Sequence, residues 1–204
     1  MTNSATLPYP ADTAALLFDC DGTLADTMPF HVVAWQESFA EHGIDLPQGF
    51  IDERAGKPTE TIVREANVLY REHLGGKELD PVAFCEVKEA RFLVRMSEVL
   101  PIEPVLATAR AAHGTMPIAV VSGSNAAVVS KTLKHIGADH LFEVVITADD
   151  PIPAKPSPEI FLEAARRLNV PPEKCHVFED GDPGIVAAKA AGMSWTDVRL
   201  VLSC

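Results

Sequence analysis

The segment Leu16–Leu24 reads LLFDCDGTL, an apolar run that ends in two aspartates, Asp19 and Asp21. Side chains alternate in direction along a strand, so both carboxylates start on the same side, at the carboxyl end of a buried strand. Two carboxylates this close repel one another unless a cation or a shared proton relieves the repulsion. The pair therefore indicates a metal-assisted site with a carboxylate nucleophile and a neighbouring acid or base. The alternative is an Asx-type turn, in which the aspartates only form the turn.

Short apolar runs recur along the chain with helical patterns between them, and they predict five buried strands: 14–18, 118–121, 144–146, 175–178 and roughly 194–198. Between the later runs are signals for helix starts at Ser124 or Asn125, at Ser157-Pro158 and at Asp182-Pro183, with stops at Gly137 and Gly192. We therefore expect an α/β fold with a doubly wound, Rossmann-like parallel sheet. The ligands of such a sheet gather at the carboxyl ends of the strands.

About 90 residues separate the first strand from the second, and they contain no convincing strand. They contain three helical patterns instead, running from Pro29 to Gly43, from Thr59 to about His73, and from Asp80 to about Val99. We therefore expect a helical cap, residues 28–97, inserted into a core made of residues 1–27 and 98–204. This cap is predicted to lie over the strand ends as a lid.

Composition limits the classes of partner. The chain has 204 residues and a formal net charge of −12, so nucleic acids and anionic membranes are poor partners, because their binding needs Lys and Arg. The apolar run 14–18 is too short to span a bilayer. A secretory signal would require a positively charged N-terminal region, and no Lys or Arg precedes Arg54. We expect a cytoplasmic monomer. No CxxC spacing occurs, which indicates reduced thiols at the four cysteines, Cys20, Cys85, Cys175 and Cys204.

Polar groups follow each later strand. Ser122-Gly123-Ser124 offers a hydroxyl and free N–H groups for an anion, or a simple helix cap. Lys155 lies in a proline-rich loop, where it neutralises a phosphoryl oxygen or the nucleophile, or is ordinary solvated surface. Glu179-Asp180 supplies hard oxygen ligands suited to Mg²⁺. Together with the Asp19–Asp21 pair, these three motifs follow successive strands, which favours a single site over four unrelated features.

These motifs resemble those of the haloacid dehalogenase-like phosphohydrolases, and the resemblance covers nearly the whole chain. The matching features are Asp19-x-Asp21-Gly22-Thr23, Ser122, Lys155-Pro156, Glu179-Asp180 and the helical insertion. Within this superfamily the chain resembles the β-phosphoglucomutase-like branch in Asp26-Thr27, His31 and Trp35. Within that branch the chain is most similar to the bacterial fructose-1-phosphate and 6-phosphogluconate phosphatases. Gly181 departs from the pattern, because Ser or Ala is more usual there.

The resemblance implies a role for each core residue. Asp19 is the nucleophile that becomes an aspartyl-phosphate, and Asp21 protonates the leaving oxygen and later deprotonates the attacking water. Mg²⁺ is held by Asp19, the Asp21 backbone carbonyl and Asp180, with Glu179 in support. Ser122, the Gly123 amide and Lys155 bind the transferring oxygens. An acid at neutral pH needs a raised pKa, which we expect Asp19 to produce in Asp21 by like charge.

Residues of the cap help to distinguish a phosphatase from a mutase. A mutase needs a cap arginine for its second phosphate, and Thr59 stands at that position, although Lys57 or Arg54 could substitute. This favours a phosphatase of small sugar phosphates; a β-phosphoglucomutase and a non-catalytic phospho-ligand sensor are the alternatives. Candidate substrate contacts in the cap are His31, Trp35, Lys57 and Arg91, with Lys88 as an alternative to Arg91. His31 is a hydroxyl ligand, a proton relay or a structural residue at the seam.

Overall fold

The computed structural model describes residues 6–54 and 56–202, which form a parallel sheet with helices on both faces. Its strands lie in the order β3-β2-β1-β4-β5, and every pairing is parallel. The predicted α/β fold is therefore confirmed. The strands are β1 (Ala15–Phe18), β2 (Ile118–Val121), β3 (Val144–Ile146), β4 (Cys175–Glu179) and β5 (Ser194–Asp197).

Strands β1 and β2 are apolar throughout because both of their faces are covered. Leu16 and Phe18 of β1 pack with helices α4 (Glu103–Ala112) and α5 (Ala126–His135) on one face. Ala15 and Leu17 pack with α6 (Glu159–Leu168) and α7 (Asp182–Ala190) on the other. Phe18 also stacks on Phe178 of β4, with ring centroids 5.0 Å apart. Continuous burial removes the alternation of polar and apolar residues that a one-sided strand shows.

The helices with these bounds are α1 (Met28–Ala40), α2 (Thr59–Leu69), α3 (Pro81–Val94), α4 (Glu103–Ala112), α5 (Ala126–His135), α6 (Glu159–Leu168), α7 (Asp182–Ala190) and α8 (Val198–Leu202). Two of them, α4 and α8, were not predicted: α8 has only five residues, and the helix-start signal of Pro104 in the first turn of α4 was missed. The predicted ends of α2 and α3 were too late, at His73 and Val99. Helix α6 begins one residue later than its predicted cap implies, after Pro158, whereas α7 begins one residue earlier, after Gly181.

Helices α1, α2 and α3 share a hydrophobic cluster of their own, separate from the two clusters on the sheet. Trp35 and Phe39 of α1 pack there against Phe84 of α3. This arrangement accords with a cap, and the boundaries at residues 28 and 97 stay predictions. Cys204 lies outside the described residues. Among the helices of the described part, none combines the length and apolar character needed to cross a membrane.

Candidate active site

The parallel register brings distant residues together at one edge of the sheet. Because β1 lies between β2 and β4, Asp19 follows Phe18 into the space between Ser122 and Glu179. Its backbone N–H donates to the Phe178 carbonyl at 3.0 Å, which continues the strand pairing up to the carboxylate. The loop after β3 adds Lys155 to this edge.

Lys155 is a buried cation, only 2% exposed, and the surface alternative for this residue is therefore wrong. Its Nζ donates to Asp19 Oδ1 at 2.6 Å, to Glu179 Oε2 at 2.7 Å and to the Val121 carbonyl at 3.0 Å. Burial alone lowers the pKa of Lys155, but the charges of Asp19 and Glu179 outweigh it and raise the pKa above its ordinary value. Lys155 therefore carries its charge at neutral pH.

Asp19, Glu179 and Asp180 form an acidic cluster in which one carboxylate oxygen from each lies within 4.8 Å of the others. Burial, and then the charge of Glu179, raise the pKa of Asp19 well above its ordinary range and that of Asp180 to about 7. Three carboxylates facing one lysine leave excess negative charge on hard oxygen ligands, which is the chemistry that Mg²⁺ requires. This donor set fits that ion. The side chain of Asp21 is outside the cluster.

The chain approaches Asp180 closely at Gly22, where φ is +79°. A Cβ atom on Gly22 would stand 2.1 Å from Asp180 Oδ2, so only glycine permits this turn. Thr23 Oγ1 donates to the other carboxylate oxygen of Asp180 at 3.0 Å. The Gly-Thr pair that follows Asp21 therefore positions a carboxylate of another strand.

Asp21 has a different environment, because three donors hold its carboxylate. Thr27 Oγ1 donates to Oδ1 at 2.8 Å, Ser124 Oγ donates to Oδ2 at 2.6 Å, and His31 Nε2 lies 3.2 Å from Oδ1. Burial by itself raises the pKa of Asp21, but His31, Ser124 and Thr27 together hold it well below its ordinary value. The expected rise is therefore wrong for this arrangement, since the donors outweigh the like charge of Asp19.

Ser124 and Thr27 were missed as partners of Asp21. The sequence offered Ser124 or Asn125 as the cap of α5, and the structure gives that role to Asn125, whose Oδ1 accepts from Val128 N at 2.9 Å. Ser124 is thereby left to donate to Asp21. Thr27 precedes α1 without capping it, because its hydroxyl is committed to the same carboxylate.

A chain of polar contacts runs from Asp21 into the cap. Lys88 Nζ donates to His31 Nδ1 at 2.8 Å, so Nε2 carries the ring proton and donates to Asp21. Burial and the Lys88 charge lower the pKa of His31, which is therefore neutral at pH 7. Lys88 Nζ also contacts Glu89 Oε1 at 3.2 Å. His31, a single candidate in the sequence, thus lies in the middle of a chain of contacts from Asp21 to Glu89.

The other cap candidates divide between two places. Trp35 and Lys57 line the same cavity as Asp19, Asp21 and the Ser122–Ser124 segment. Lys57 Nζ lies 2.6 Å from Glu65 Oε1, so a carboxylate already partners it. Arg91 does not line the cavity; it pairs with Glu41 on the outside of the cap, and the substrate contact expected for it has no support.

Comparisons with known proteins agree with this geometry. A family model described as haloacid dehalogenase-like hydrolase matches residues 13–192. The fructose-1-phosphate phosphatase YqaB of Escherichia coli is 39% identical over 189 residues, which cover 92% of this chain and 97% of that protein. A validoxylamine A 7'-phosphate phosphatase of Streptomyces hygroscopicus is 31% identical over 178 residues, 87% of this chain and 81% of its own. The crystal structure of β-phosphoglucomutase from Clostridium difficile superposes with a TM-score of 0.77 at 28% identity, covering 90% of this chain and 83% of that one.

Proposed function

The chain belongs to the haloacid dehalogenase-like hydrolase family, and on that premise we propose that it is a magnesium-dependent phosphatase of small sugar monophosphates. One observation carries the proposal: Asp19 and Asp21 are held apart in different environments. Lys155 and the acidic cluster surround Asp19, whereas neutral donors from three segments surround Asp21. Two carboxylates with separate environments suit a nucleophile and an acid/base.

In the proposed reaction, an Asp19 carboxylate oxygen bonds to phosphorus while the bond from phosphorus to the sugar oxygen breaks. The sugar oxygen takes a proton from Asp21 and leaves as an alcohol. Water then gives a proton to Asp21 as its oxygen bonds to phosphorus, which frees Asp19 and inorganic phosphate. The entering phosphate dianion would raise the pKa of Asp21 by like charge, which lets that residue take up the proton it donates.

The remaining core residues would hold the transferring phosphoryl group. Lys155 Nζ lies 2.6 Å from the nucleophile, close enough to neutralise an oxygen that reaches Asp19. Ser122 and the Gly123 amide would donate to the same group from the end of β2. Mg²⁺ bound by Asp19, Asp180 and the Asp21 backbone carbonyl, with Glu179 beside it, would supply charge neutralisation for the phosphoryl oxygens.

The cap favours hydrolysis over transfer to a second sugar position. Arg54 and Lys57 both contact Glu65, at 3.0 and 2.6 Å, and Lys88 contacts Glu89. Each basic side chain of the cap that lines the cavity is therefore already paired with a carboxylate. A bisphosphate intermediate would need one of them to bind its second phosphate, so water is the better-supported acceptor.

The test is phosphate release from a panel of hexose and pentose monophosphates with Mg²⁺ and with a chelator. We expect turnover only with the metal, and a loss of about 10³-fold or more in kcat for Asp19→Asn, because no covalent intermediate can form. Asp45→Asn, at an exposed position in the cap, is the matched control.

Two results would contradict this proposal and favour a different function. If β-glucose 1-phosphate with a bisphosphate primer yields glucose 6-phosphate faster than free phosphate, the protein is a mutase. If Asp19→Asn leaves the rate unchanged, that rate belongs to a contaminant. A sensor then becomes the better reading, and binding of sugar phosphates without turnover would identify it.

A further inference from the structure

A groove adjoins the active cavity. It lies between α2 and α3 of the cap and the beginning of α5, and Thr59 and Gly123 line both spaces. Its volume is about 720 Å³, whereas the cavity over Asp19 holds only about 50 Å³. Small-molecule sites usually occupy a few hundred Å³ or more, so only the groove has room for a sugar.

One wall of this groove contains a buried carboxylate that is half satisfied. Glu89 is 6% exposed, and its Oε1 accepts from Lys88 Nζ and from Thr59 Oγ1, each at 3.2 Å. Its Oε2 is shielded from solvent and has no hydrogen-bond partner among the described residues. Buried polar atoms are nearly always paired, and Glu89 lines the groove, so a small rotation of its carboxylate would let Oε2 accept a hydrogen bond from a ligand bound there.

The charges around the groove restrict what that ligand can be. Besides Glu89, the groove is lined by the acids Glu60, Glu86 and Asp149. Arg64 also lines it and its guanidinium lies 2.7 Å from Glu60, so those two charges offset each other. Lys88 likewise offsets the charge of Glu89, which leaves Glu86 and Asp149 as the source of the net negative charge. A second phosphate would therefore be repelled from this groove, while a hydroxyl or ammonium group would be attracted to it.

We infer that Glu89 is a specificity-determining residue, which accepts a hydrogen bond from a hydroxyl or ammonium group of the leaving sugar and repels a second anionic group. This inference rests on the proposed function, since it concerns the part of the substrate that leaves Asp19. It restricts the substrate class to monophosphates whose non-reacting end is a neutral polyol or an amine.

The test compares fructose 1-phosphate with fructose 1,6-bisphosphate, which differ only in the second phosphate. We expect the wild type to prefer the monophosphate by about tenfold or more in kcat/KM, mainly through KM. Glu89→Gln should narrow that ratio by about fivefold or more, because the amide keeps the shape and removes the repelling charge. Glu72→Gln removes the same charge from an exposed cap position and should leave the ratio within about twofold.

A comparison of glucose 6-phosphate with glucosamine 6-phosphate distinguishes a hydroxyl donor from an ammonium donor. An ammonium donor gives a preference for the amino sugar that Glu89→Gln abolishes, whereas a hydroxyl donor gives no such preference while the fructose ratio still narrows.

An unchanged fructose ratio in Glu89→Gln overturns the inference, because a residue that only supports Lys88 or the fold slows both substrates alike. Should the variant fail to fold, the wild-type ratio decides alone, and equal rates overturn it. If the wild type releases phosphate from no sugar monophosphate, the proposed function itself has failed. If it hydrolyses the monophosphates and the bisphosphate equally well, only the role of Glu89 has failed.

Discussion

Asp19 and Asp21 are two positions apart in the chain, yet a buried cation holds the first and neutral donors hold the second. Both residues precede the turn at Gly22, and the difference arises because their carboxylates meet different segments of the protein. At the scale of single residues, chemistry here depends on which partners each carboxylate meets. The same holds for Lys155, whose charge is stable in the interior only because Asp19 and Glu179 surround it.

Replacing Lys155 tests that dependence. Lys155→Met leaves Asp19, Glu179 and Asp180 buried without their cation, so we expect the free energy of unfolding to fall by about 3–5 kcal/mol in urea without metal. Mg²⁺ should recover part of the loss by binding the same carboxylates. Lys174→Met, which removes an exposed ion pair with Asp12, is the control and should leave the free energy of unfolding nearly unchanged. Equal losses in the two variants would contradict the prediction.

His176 predicts a pH dependence of stability. Its ring nitrogens contact the hydroxyls of Ser194 and Thr196 at 2.8 and 2.9 Å, and burial lowers its pKa to about 4. The unfolded chain, with a histidine pKa near 6.5, binds the proton more readily between pH 6.5 and 4. The contribution of neutral His176 is therefore complete above pH 6.5 and is lost as the pH falls, by roughly 2–3 kcal/mol at pH 4.

Urea unfolding of the wild type and of His176→Gln from pH 4 to pH 7.5 measures this contribution. The difference between the two free energies should shrink as the pH falls, because the amide does not titrate. A difference that stays constant over this range would show that His176 titrates alike in the folded and unfolded chain.

At the scale of elements, helix α3 connects the cap to the chemistry because it carries both Lys88 and Glu89. Its start is well defined: Asp80 precedes it, Pro81 opens its first turn, and the Asp80 carboxylate accepts from Val82 N and Ala83 N at 2.9 and 3.2 Å. A carboxylate at this position satisfies N–H groups that have no partner within the helix. The sequence predicted this start correctly, because Asp-Pro is a local signal.

Asp80→Ala should therefore lower the free energy of unfolding by about 1 kcal/mol. Glu78→Ala, an exposed acid two residues before it, is the control for a change in charge. Thermal unfolding of both variants measures this difference. If Asp80→Ala loses no more stability than Glu78→Ala, the Asp80 carboxylate does not stabilise the start of α3.

At the scale of the whole molecule, the cap meets the core at a contact between two glycines. The Gly56 carbonyl of the cap loop lies so close to Gly123 that a Cβ atom there would stand 2.3 Å from its oxygen. Gly56 also has a φ of +82°, which favours glycine. The segment that would bind the phosphate is thus covered directly by backbone of the cap.

Gly123→Ala should push the cap loop away from the phosphate segment. We expect kcat/KM to fall by about tenfold or more, because small displacements of a closed site are costly to catalysis. The melting temperature should change little, since Gly123 has an ordinary backbone conformation and the loop can shift. Unaltered kinetics would mean that the two glycines need not touch during turnover.

The sequence by itself determined the strands, the order of the motifs and the identity of Asp19, Asp21, Lys155 and Glu179-Asp180 as candidates. Apolar runs, prolines and glycines act over a few residues, so these features can be recognised without a fold. The start of α4 was missed although Pro104 in its first turn is a local signal of the same kind.

Only the tertiary structure decided what each candidate touches. Ser124 donates to Asp21 across 103 positions of sequence, and Lys57 is paired with Glu65. Glu89 has one oxygen without a hydrogen-bond partner in the part of the chain that the structure describes. The direction of a pKa shift depends on the balance between burial, charge and hydrogen bonds, and for Asp21 that balance came from His31, Ser124 and Thr27 together. No local pattern encodes that balance, because strand pairing and cap packing bring those donors to one carboxylate.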